Sequence, residues 1–588
     1  MKKNFREIPG SPYAVFLAST AAIFLGFLFI RMFAVNAVQW DEYGLVDMVV
    51  NNDTSLEMLF VQNNEHRMFF PRLAYNAIAQ ATGMNSVAVM YFSFFLVTAA
   101  YLLLMFHLFK INKTPLNVLY PFLLGLILFN PIQDENILWG FQVGFYMTHV
   151  FSVFSVFFAA LQMRAIGKNA SRLAYFIISV VTAVVASFSS SQGLMSWIVI
   201  ALLWLIAFRR QVLKSLYFYI WVLFGLMVFI LYFHNYVKPG HHPLAYIFAH
   251  PLQTAVYLLH LFGCGLYIGK VITALLGGVI LAVSVMILVD FWRSKELKDA
   301  FPVGLVLYGG LVCSLICIGR AWLYAQSLHF ASRYTTFELI ILIGIIIYLV
   351  SWKQRACSKY ARAVSVYRVF AVTLAVIVVF LLLSAIRGIG GVAKSDFRQE
   401  NKFIIQTYDQ QPDMKVTRTF PGAVLARKWL NLLRTWGYGV FLEKTDINPD
   451  IFKNHSNRLS GDWISFNNKD IITFVNDSDD PYIIIAGWAL NPAAQAPLEA
   501  MYVSLNDVFY PVFYGKSRSD MRFSFFNRAA YFTGFERAIP LSVLKDGQYS
   551  IKVYGLCQDR HYYKIEPEVT LRVYEGSVEI QTSDSRLP

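Results

Sequence analysis

Two adjacent carboxylates, Asp41 and Glu42, follow the first long apolar run of the chain by only a few residues. Carboxylates in this position could accept a proton from an attacking hydroxyl, orient that hydroxyl, or hold a divalent cation such as Mg²⁺ or Mn²⁺. A solvated loop end would have the same composition. The pair is therefore a candidate catalytic site, with an ordinary loop end as the alternative.

The same loop continues with Glu65, His66 and Arg67, and Arg72 follows five residues after Arg67. Two guanidinium groups can face one phosphate and supply paired hydrogen bonds, so Arg67 and Arg72 are candidate phosphate ligands. His66 could donate a hydrogen bond or relay a proton, and Glu65 is grouped with it as a candidate substrate contact. The alternative is that both arginines contact lipid headgroups.

A further loop brings Asp134 and Glu135 close in sequence to Trp139 and Gln142. Aromatic faces stack on the CH groups of sugars, whereas carboxylates and amides bind hydroxyls, so this mixture predicts a sugar-contacting surface. Trp139 would serve equally well as an interfacial anchor. The segment 189–193, Ser-Ser-Ser-Gln-Gly, adds small polar donors on the same face or forms a simple tight turn.

Arg320 and Arg333 stand at the two ends of a later connection between apolar runs, and Tyr334 follows Arg333. The topology derived below places both arginines on the outer side of the membrane, where basic residues are otherwise few. Their presence there indicates a specific anionic partner. A lipid phosphate would fit. The alternative is a structural ion pair of either arginine with Glu338.

Membrane spans are the elements that must position these residues. The 588-residue chain has a mean hydropathy of +0.50 and only 15% charged residues, which is too apolar for an ordinary soluble enzyme. Apolar runs of about 20 residues are long enough to cross a bilayer. We predict eleven spans, near residues 12–34, 86–109, 115–131, 142–163, 173–189, 194–208, 216–236, 267–289, 302–319, 335–352 and 366–386.

The net charge of +14 belongs to the same part of the chain. Residues 1–386 carry 26 basic against 13 acidic side chains, and the remainder carries 24 against 23. Basic residues are retained on the cytoplasmic side of a membrane, so this excess is a topology signal, and we expect no nucleic-acid partner. The charge bias alternates from loop to loop. It predicts a cytoplasmic N-terminus and, after eleven crossings, a C-terminal domain outside the cytoplasm.

From residue 466 onward the pattern changes to short β-branched and aromatic runs separated by turns such as Asn506-Asp507 and Asp546-Gly547. These runs predict an antiparallel β-sandwich of about eight strands. Ala423–Trp436 has the period of one amphipathic helix. We divide the chain into a transmembrane domain over 1–390, a connecting region over 391–465 and a β-sandwich over 466–588.

An acidic pair directly after the first span, a large first outer loop, eleven crossings and an outer C-terminal domain resemble the GT-C superfamily of membrane glycosyltransferases. The resemblance covers residues 1 to about 390, and its best anchor is Asp41-Glu42, which matches the acidic first-loop motif of that superfamily. The run from Asn64 to Arg67, followed by Pro71-Arg72, looks like bacterial members that decorate O-antigen. A family-wide signature for the acceptor site is not seen.

The resemblance implies an inverting transfer of a sugar from an undecaprenyl-phosphate-linked donor to a hydroxyl of a lipid-linked O-antigen or another surface glycan. Asp41 would be the general base, and Glu42 would orient the acceptor or help to hold a metal ion. The arginines named above would bind the donor phosphate and stabilise the charge that grows on it. The expected location is the bacterial inner membrane, with transfer on the periplasmic face.

Two other functions fit part of the pattern. An O-antigen ligase or polymerase also uses a polyprenyl-linked donor, but it depends on arginines and a histidine in a large outer loop rather than on a first-loop acid. A transporter of lipid-linked glycans would be expected to show internal repeats or paired spans broken by glycine or proline, and we see neither. Substitution of Asp41 separates the ligase from the transferase.

Overall fold

The structure is a computed structural model, and it describes residues 11–165, 167, 169–239, 245–327, 331–359, 363–442, 451–452, 458–459, 464–465, 472–477, 480–490, 498–518, 531–557, 561–565 and 569–582. The chain divides into two compact units. Unit 1 comprises Met1–Ala34, Asn52–Thr82 and Ser86–Ala393, and unit 2 comprises Val35–Asn51, Gly83–Asn85 and Lys394–Pro588. The first acidic pair therefore belongs to the same unit as the C-terminal residues.

The helices account for all of the long apolar runs. In chain order they are α1 (Pro12–Phe33), α2 (Val46–Val50), α3 (Leu56–Phe60), α4 (Phe69–Thr82), α5 (Ser86–Phe106), α6 (Leu119–Leu128), α7 (Asp134–Ile137), α8 (Val143–Arg164), α9 (Asn169–Ser187), α10 (Met195–Phe208), α11 (Leu216–Phe233), α12 (Tyr246–Ala249), α13 (Pro251–Gly263), α14 (Lys270–Ser294), α15 (Ala300–Ser327), α16 (Thr335–Lys359), α17 (Ala363–Ala393), α18 (Phe397–Gln406), α19 (Asp413–Val416) and α20 (Ala423–Trp436). Within the described residues, ten helical stretches are long and apolar enough to cross a membrane. This is the pattern of a multi-pass membrane protein.

Unit 1 is a bundle whose centre is formed by α8, α15 and α16. In the most apolar part of the stretch Ser332–Arg355, 89% of the residues are buried, against 22% in Pro12–Phe33. Peripheral helices such as α1 and α11 expose large apolar side chains. A helix that is apolar on its exposed face is suited to contact with lipid.

One of the eleven predicted spans, near 115–131, is not a crossing helix by itself. It folds as α6, which has only ten residues and rises about 15 Å, half of a hydrocarbon core of roughly 30 Å. The helix is bounded by two asparagines whose side chains accept main-chain hydrogen bonds: Asn117 from the Leu119 N–H at 2.8 Å and Asn130 from the Ile132 N–H at 3.0 Å. The orientation derived from eleven crossings stays a prediction.

The strands form a small hairpin in unit 1 and one large sheet in unit 2. In chain order they are β1 (Gln62–Asn63), β2 (His66–Arg67), β3 (Arg458–Leu459), β4 (Ile464–Ser465), β5 (Ile472–Val475), β6 (Tyr482–Ala489), β7 (Ala500–Leu505), β8 (Val508–Lys516), β9 (Gly534–Pro540), β10 (Gly547–Leu556), β11 (Tyr562–Ile565), β12 (Val569–Tyr574) and β13 (Ser577–Thr582). The large sheet has the order β13-β12-β10-β7-β8-β9-β6-β4, with β11 and β5 paired to β10 and β6. Its pairs are antiparallel except for β3 with β11.

The predicted β-sandwich is wrong, because this is one continuous, barrel-like sheet. Strand β8 pairs with β7 along one edge and with β9 along the other, with an irregular register between Tyr514 and Lys516. The chain therefore passes from one part of the sheet to the next without a break between two layers. Alternate side chains such as Ile483, Val503 and Val553 form its buried core.

Two local predictions in unit 2 are confirmed. The amphipathic helix is α20, with the predicted bounds Ala423–Trp436, and Gly437 ends it at φ +63°. The turn Asn506-Asp507 joins β7 to β8 with φ values of +48° and +68°. Two positive φ angles are the signature of a tight hairpin turn, and asparagine and aspartate tolerate them better than most residues.

Candidate functional site

The loop that contains Glu65 and His66 is the hairpin β1–β2. Asn64 occupies its turn at φ +50°, a conformation that asparagine adopts at low cost. The Tyr232 hydroxyl donates to the Glu65 carbonyl at 2.9 Å and accepts from the Arg67 N–H at 3.1 Å. The hairpin is thereby fixed to the end of α11, which sets the positions of the two functional candidates.

Four residues from three parts of unit 1 meet at this hairpin, and we call them the Glu65 cluster: Glu65, His66, Ser191 and Arg320. Arg320 Nη2 donates to Glu65 Oε1 at 2.5 Å. His66 Nε2 lies 3.7 Å from the same carboxylate oxygen. On the opposite side of the ring, His66 Nδ1 is 3.3 Å from the Ser191 main-chain nitrogen and 3.1 Å from the Ser191 hydroxyl.

The contacts of Ser191 decide which nitrogen of His66 carries the proton. A main-chain N–H can only donate, so His66 Nδ1 must accept and the neutral ring carries its hydrogen on Nε2. That N–H is on the side of Glu65. His66 is only 9% exposed, whereas the side chains of Glu65 and Arg320 keep 24% and 20% of their surface accessible. A ligand can therefore reach the carboxylate and the guanidinium group.

Arg67 and Arg72, predicted to bind phosphate, both bond to main-chain carbonyls. Arg67 donates to the carbonyls of Phe60 and His234, each at 2.7 Å. Arg72 donates to the carbonyl of Leu59 at 3.2 Å and to that of Val61, and it is 6% exposed. Burial, with the charge of Arg67 as a second cause, lowers the pKa of Arg72 to about 10. This geometry favours a role in holding the loop between α3 and α4.

A second ion pair lies near the start of α16. Arg333 Nη1 donates to Glu135 Oε1 at 3.0 Å, and the Arg333 main-chain N–H donates to the other carboxylate oxygen at 3.0 Å. The Ser332 hydroxyl donates to Asp134 at 2.8 Å. The Arg333 guanidinium carbon is 5.3 Å from the centre of the Tyr334 ring. The structure thus brings together Asp134, Glu135, Arg333 and Tyr334.

Trp139 and Gln142, which the sequence predicts to be part of a sugar-contacting surface, are partly buried and fully buried, respectively. Gln142 is 1% exposed, and its amide oxygen has no hydrogen-bond partner in the described part of the chain. Trp139 is half-buried and packs on Phe141 with ring centres 5.6 Å apart. Gln142 ends the 3₁₀ turn Gly140–Gln142 and directly precedes α8, whose first residues, Val143 and Gly144, are buried. A role for Gln142 in substrate binding stays a prediction.

A small cavity of about 30 Å³ lies within unit 1. It is mostly apolar, but Gln133 and Thr336, which are hydrogen-bonded to each other at 2.7 Å, contribute to its wall. Thr336 follows Arg333 by less than one helical turn. The lining residues are Val97, Ala100, Leu104, Leu128, Gln133, Tyr146, His149, Val150, Val153, Leu305, Thr336, Leu339, Ile340 and Ile343.

The acidic pair Asp41-Glu42 lies in unit 2, in a 3₁₀ helix over Trp40–Leu45. Asp41 is half-buried, whereas Glu42 is fully buried and accepts a hydrogen bond from the Gln39 N–H at 3.3 Å. Glu42 is thus part of a capping box that closes this helix. Trp40, directly before the pair, adopts φ +52°, a conformation that costs energy and is often found beside functional residues.

Unit 2 holds this acidic segment through residues that sequence analysis did not identify. The Trp40 N–H donates to the Thr419 carbonyl at 2.8 Å, and the Tyr43 hydroxyl donates to the Thr419 hydroxyl at 2.9 Å. Trp429 Nε1 on α20 donates to Asp47 at 2.8 Å. Burial raises the pKa of Tyr43 well above its ordinary value. The partners are separated by 376 residues in the case of Tyr43 and Thr419, so no local pattern could have predicted them.

Glu338, the alternative partner for the arginines, accepts a hydrogen bond from the Gly265 N–H at 2.9 Å and is fully buried. Across the residues with a described position, no three His, Cys, Asp or Glu side chains come together in a way that could hold a metal ion. The expected divalent cation at Asp41-Glu42 stays a prediction.

No known protein family, no characterised protein and no solved structure matches this chain. The resemblance to the GT-C superfamily therefore stays a prediction, and the functional argument depends on the geometry of the clusters themselves.

Proposed function

We propose that this protein is a membrane glycosyltransferase that moves a sugar from an undecaprenyl-phosphate-linked donor to a hydroxyl of a lipid-linked O-antigen or another surface glycan. Two ion pairs carry the proposal. Arg320 pairs with Glu65 and Arg333 pairs with Glu135, near the two ends of the connection between α15 and α16. Ionisable side chains at the ends of apolar helices are costly and are usually functional. Guanidinium groups supply the paired donors that a phosphate requires.

The proposed reaction is a single displacement at the anomeric carbon of the donor sugar. The acceptor hydroxyl attacks this carbon, and Asp41 takes the hydroxyl proton. The bond between the anomeric carbon and the phosphate oxygen breaks, and the polyprenyl phosphate leaves with the electron pair. Arg320 and Arg333 stabilise the negative charge that grows on this leaving group. Attack from the opposite face inverts the configuration.

The assignment of Asp41 as the base comes from its place after the first span, with the family resemblance in support. Glu42 is fully buried and caps the 3₁₀ helix, so it does not contact a substrate in this arrangement. Its proposed part is to hold the segment that carries Asp41. The proposed location is the bacterial inner membrane, with transfer on the periplasmic face. That orientation is inferred from the charge bias of the loops.

The alternative of an O-antigen ligase or polymerase is favoured by one observation. His66 and Arg320 share the Glu65 cluster in unit 1, whereas Asp41 belongs to unit 2. A ligase of the kind considered above depends on arginines and a histidine and not on a first-loop acid. The two functions therefore differ in what they require of Asp41.

The experiment compares the surface glycan of source cells that have and lack the gene, by mass and linkage analysis. We expect cells without the gene to lose one type of sugar substituent, and the wild-type gene to restore it. Asp41→Asn should not restore it, whereas Asp53→Asn, at a partly exposed position between Asp41 and α3, should. Unchanged glycan in the deletion strain would refute the transferase, and full restoration by Asp41→Asn would favour the ligase.

A further inference from the structure

The Glu65 cluster contains a carboxylate that two donors can share. Glu65 Oε1 accepts from Arg320 at 2.5 Å and lies 3.7 Å from His66 Nε2. We propose that Glu65 is an internal competitor for a phosphate anion that binds Arg320, and that its carboxylate moves to the His66 N–H when phosphate binds. The inference rests on the proposed function only in naming the phosphate of a polyprenyl lipid as the anion.

The distance between His66 and Glu65 makes such a transfer short. An N–H···O hydrogen bond spans about 2.9 to 3.0 Å, so a shift of about 0.7 Å would bring Oε1 into bonding distance of Nε2. The Glu65 carboxylate would then accept a hydrogen bond from the His66 N–H in place of its ion pair with Arg320. Glu65 lies in the turn of the two-stranded hairpin, directly before His66, and a rotation of its side chain would make this movement.

Ser191 keeps His66 ready for this role. Its main-chain N–H and its hydroxyl both lie at Nδ1, so the ring holds its hydrogen on the nitrogen that faces Glu65. His66 is also 91% buried, since only 9% of its surface is exposed, and its ring packs edge-on against Phe145 at 5.8 Å. The donor is therefore oriented before any ligand arrives, which lowers the cost of the exchange.

The direction in which one substitution changes the affinity for phosphate separates this proposal from a purely structural ion pair. Glu65→Gln removes the negative charge and keeps the shape of the side chain. If Glu65 competes with phosphate, the loss of its charge weakens its contact with Arg320 and removes a repulsion between the carboxylate and the anion, so phosphate should bind more tightly. If Glu65 only orients Arg320, the same change should loosen the guanidinium group and weaken binding.

The test measures binding to the full chain in nanodiscs by two probes, undecaprenyl phosphate and inorganic phosphate. We expect Glu65→Gln to bind undecaprenyl phosphate roughly three- to tenfold more tightly than the wild type, the change produced by one partly screened ion pair. Arg320→Gln should bind it at least about tenfold more weakly. Glu57→Gln is the matched control, because it removes the same charge from an exposed position in the same loop and should change nothing.

A second pair of variants tests the His66 donor even if Glu65→Gln folds poorly. The side-chain nitrogen of glutamine can reach the position of Nε2, whereas that of asparagine corresponds to Nδ1. Phosphate affinity should be largely kept in His66→Gln and reduced in His66→Asn.

Unchanged or weaker phosphate binding in folded Glu65→Gln, or equal effects of the two His66 variants, would overturn the proposal. Tighter binding of both probes would assign the site to the phosphate group alone, and tighter binding of the lipid probe only would add the polyprenyl chain. If Glu65→Gln binds more tightly but the wild type transfers no sugar, the anion site stands and the proposed glycosyltransferase fails.

Discussion

At the scale of single residues, the four arginines that the sequence predicts to bind the donor phosphate fall into two groups by what their guanidinium groups contact. Arg67 and Arg72 donate to main-chain carbonyls, whereas Arg320 and Arg333 donate to carboxylates. A carbonyl contact holds a loop, and it leaves little capacity for a ligand. A carboxylate contact can be exchanged for another anion, which is why the second group is assigned to the donor phosphate.

Arg333→Ala should weaken use of the lipid donor much more than use of the acceptor, by roughly 1.5 to 3 kcal/mol for one lost charge-assisted hydrogen bond. Arg333→Lys should restore only part of this, because lysine lacks the planar fork. The measurement is the dependence of the transfer rate on donor and on acceptor concentration. An unchanged donor dependence in a stable Arg333→Ala protein would leave Arg333 as the structural partner of Glu135.

The residue types of the candidate site could be predicted from the sequence, but their partners could not. Glu65, His66 and Arg320 were all identified as candidates from their charge and position. Their cluster also includes Ser191, which contacts His66 and is 125 residues from it along the chain. The sequence indicates the segment 189–193 as a possible source of polar donors, but it does not indicate which side chain Ser191 contacts.

At the scale of elements, the acidic helix Trp40–Leu45 is held by the segment that precedes α20. The Tyr43 hydroxyl and Thr419 form a buried hydrogen bond at 2.9 Å. Phe420 and Trp429 pack against the Tyr43 ring at 5.5 and 5.9 Å. The position of Asp41 is thus set by residues of unit 2 that are far away in sequence.

Thr419→Val keeps the side-chain shape but leaves the buried Tyr43 hydroxyl without its acceptor. We expect the free energy of unfolding to fall by about 1 to 3 kcal/mol and, if Asp41 is the base, the turnover rate to fall without a change in donor affinity. Thr417→Val, at an exposed position, is the control. Both quantities can be measured on detergent-solubilised protein, and wild-type stability and turnover in Thr419→Val would show that this contact does not position the acid.

A partly buried ion cluster joins α19 to the sheet of unit 2. Glu536 on β9 contacts Lys415 on α19 and Lys516 on β8. Burial raises the pKa of Glu536, but the two lysines outweigh burial and the pKa is lowered overall. The cluster therefore stabilises unit 2 above the ordinary carboxyl pKa, and this contribution is lost as the pH falls toward the lowered value.

Glu536→Gln should remove this pH-dependent contribution. The wild type should have the higher unfolding temperature near neutral pH, and its advantage over Glu536→Gln should shrink between about pH 6 and about pH 3. Thermal unfolding followed at several pH values provides the measurement. A difference between the two proteins that does not vary with pH would contradict the assignment.

Elements with a strong local period could be predicted, and those that depend on tertiary pairing could not. Helix α20 has the predicted bounds because its apolar residues recur with the helical period. The run near 115–131 has the composition of a span, but Asn117 and Asn130 confine its helix to ten residues. Several strands of unit 2 lie where short β-branched and aromatic runs predict them, whereas their arrangement in one sheet depends on the pairing of β8 with both neighbours.

At the scale of the whole molecule, the structure supports a multi-pass membrane bundle with a second unit that gathers the first acidic segment and the C-terminal sheet. The side of the membrane on which unit 2 lies is still inferred from charge. Whether the number of crossings is odd or even depends on α6. This helix is short, so it would have to cross the membrane together with its flanking residues.

Reporter fusions measure this parity directly. A reporter joined after residue 588 should be active only outside the cytoplasm. A second reporter joined at residue 132 should lie on the opposite side from one joined at residue 113, if the α6 region crosses as the charge bias requires. A C-terminal reporter active only in the cytoplasm would reverse the proposed orientation.

The central claim, transfer of a sugar from a polyprenyl-phosphate donor, is tested most directly with purified protein in nanodiscs. The donor is a labelled lipid-linked sugar fraction extracted from the source cells, and the acceptor is glycan from cells that lack the gene. The account predicts that label moves from the lipid fraction into the glycan with the wild type and not with Asp41→Asn. Label that stays in the lipid fraction with the wild type, or that moves equally well with Asp41→Asn, would contradict it.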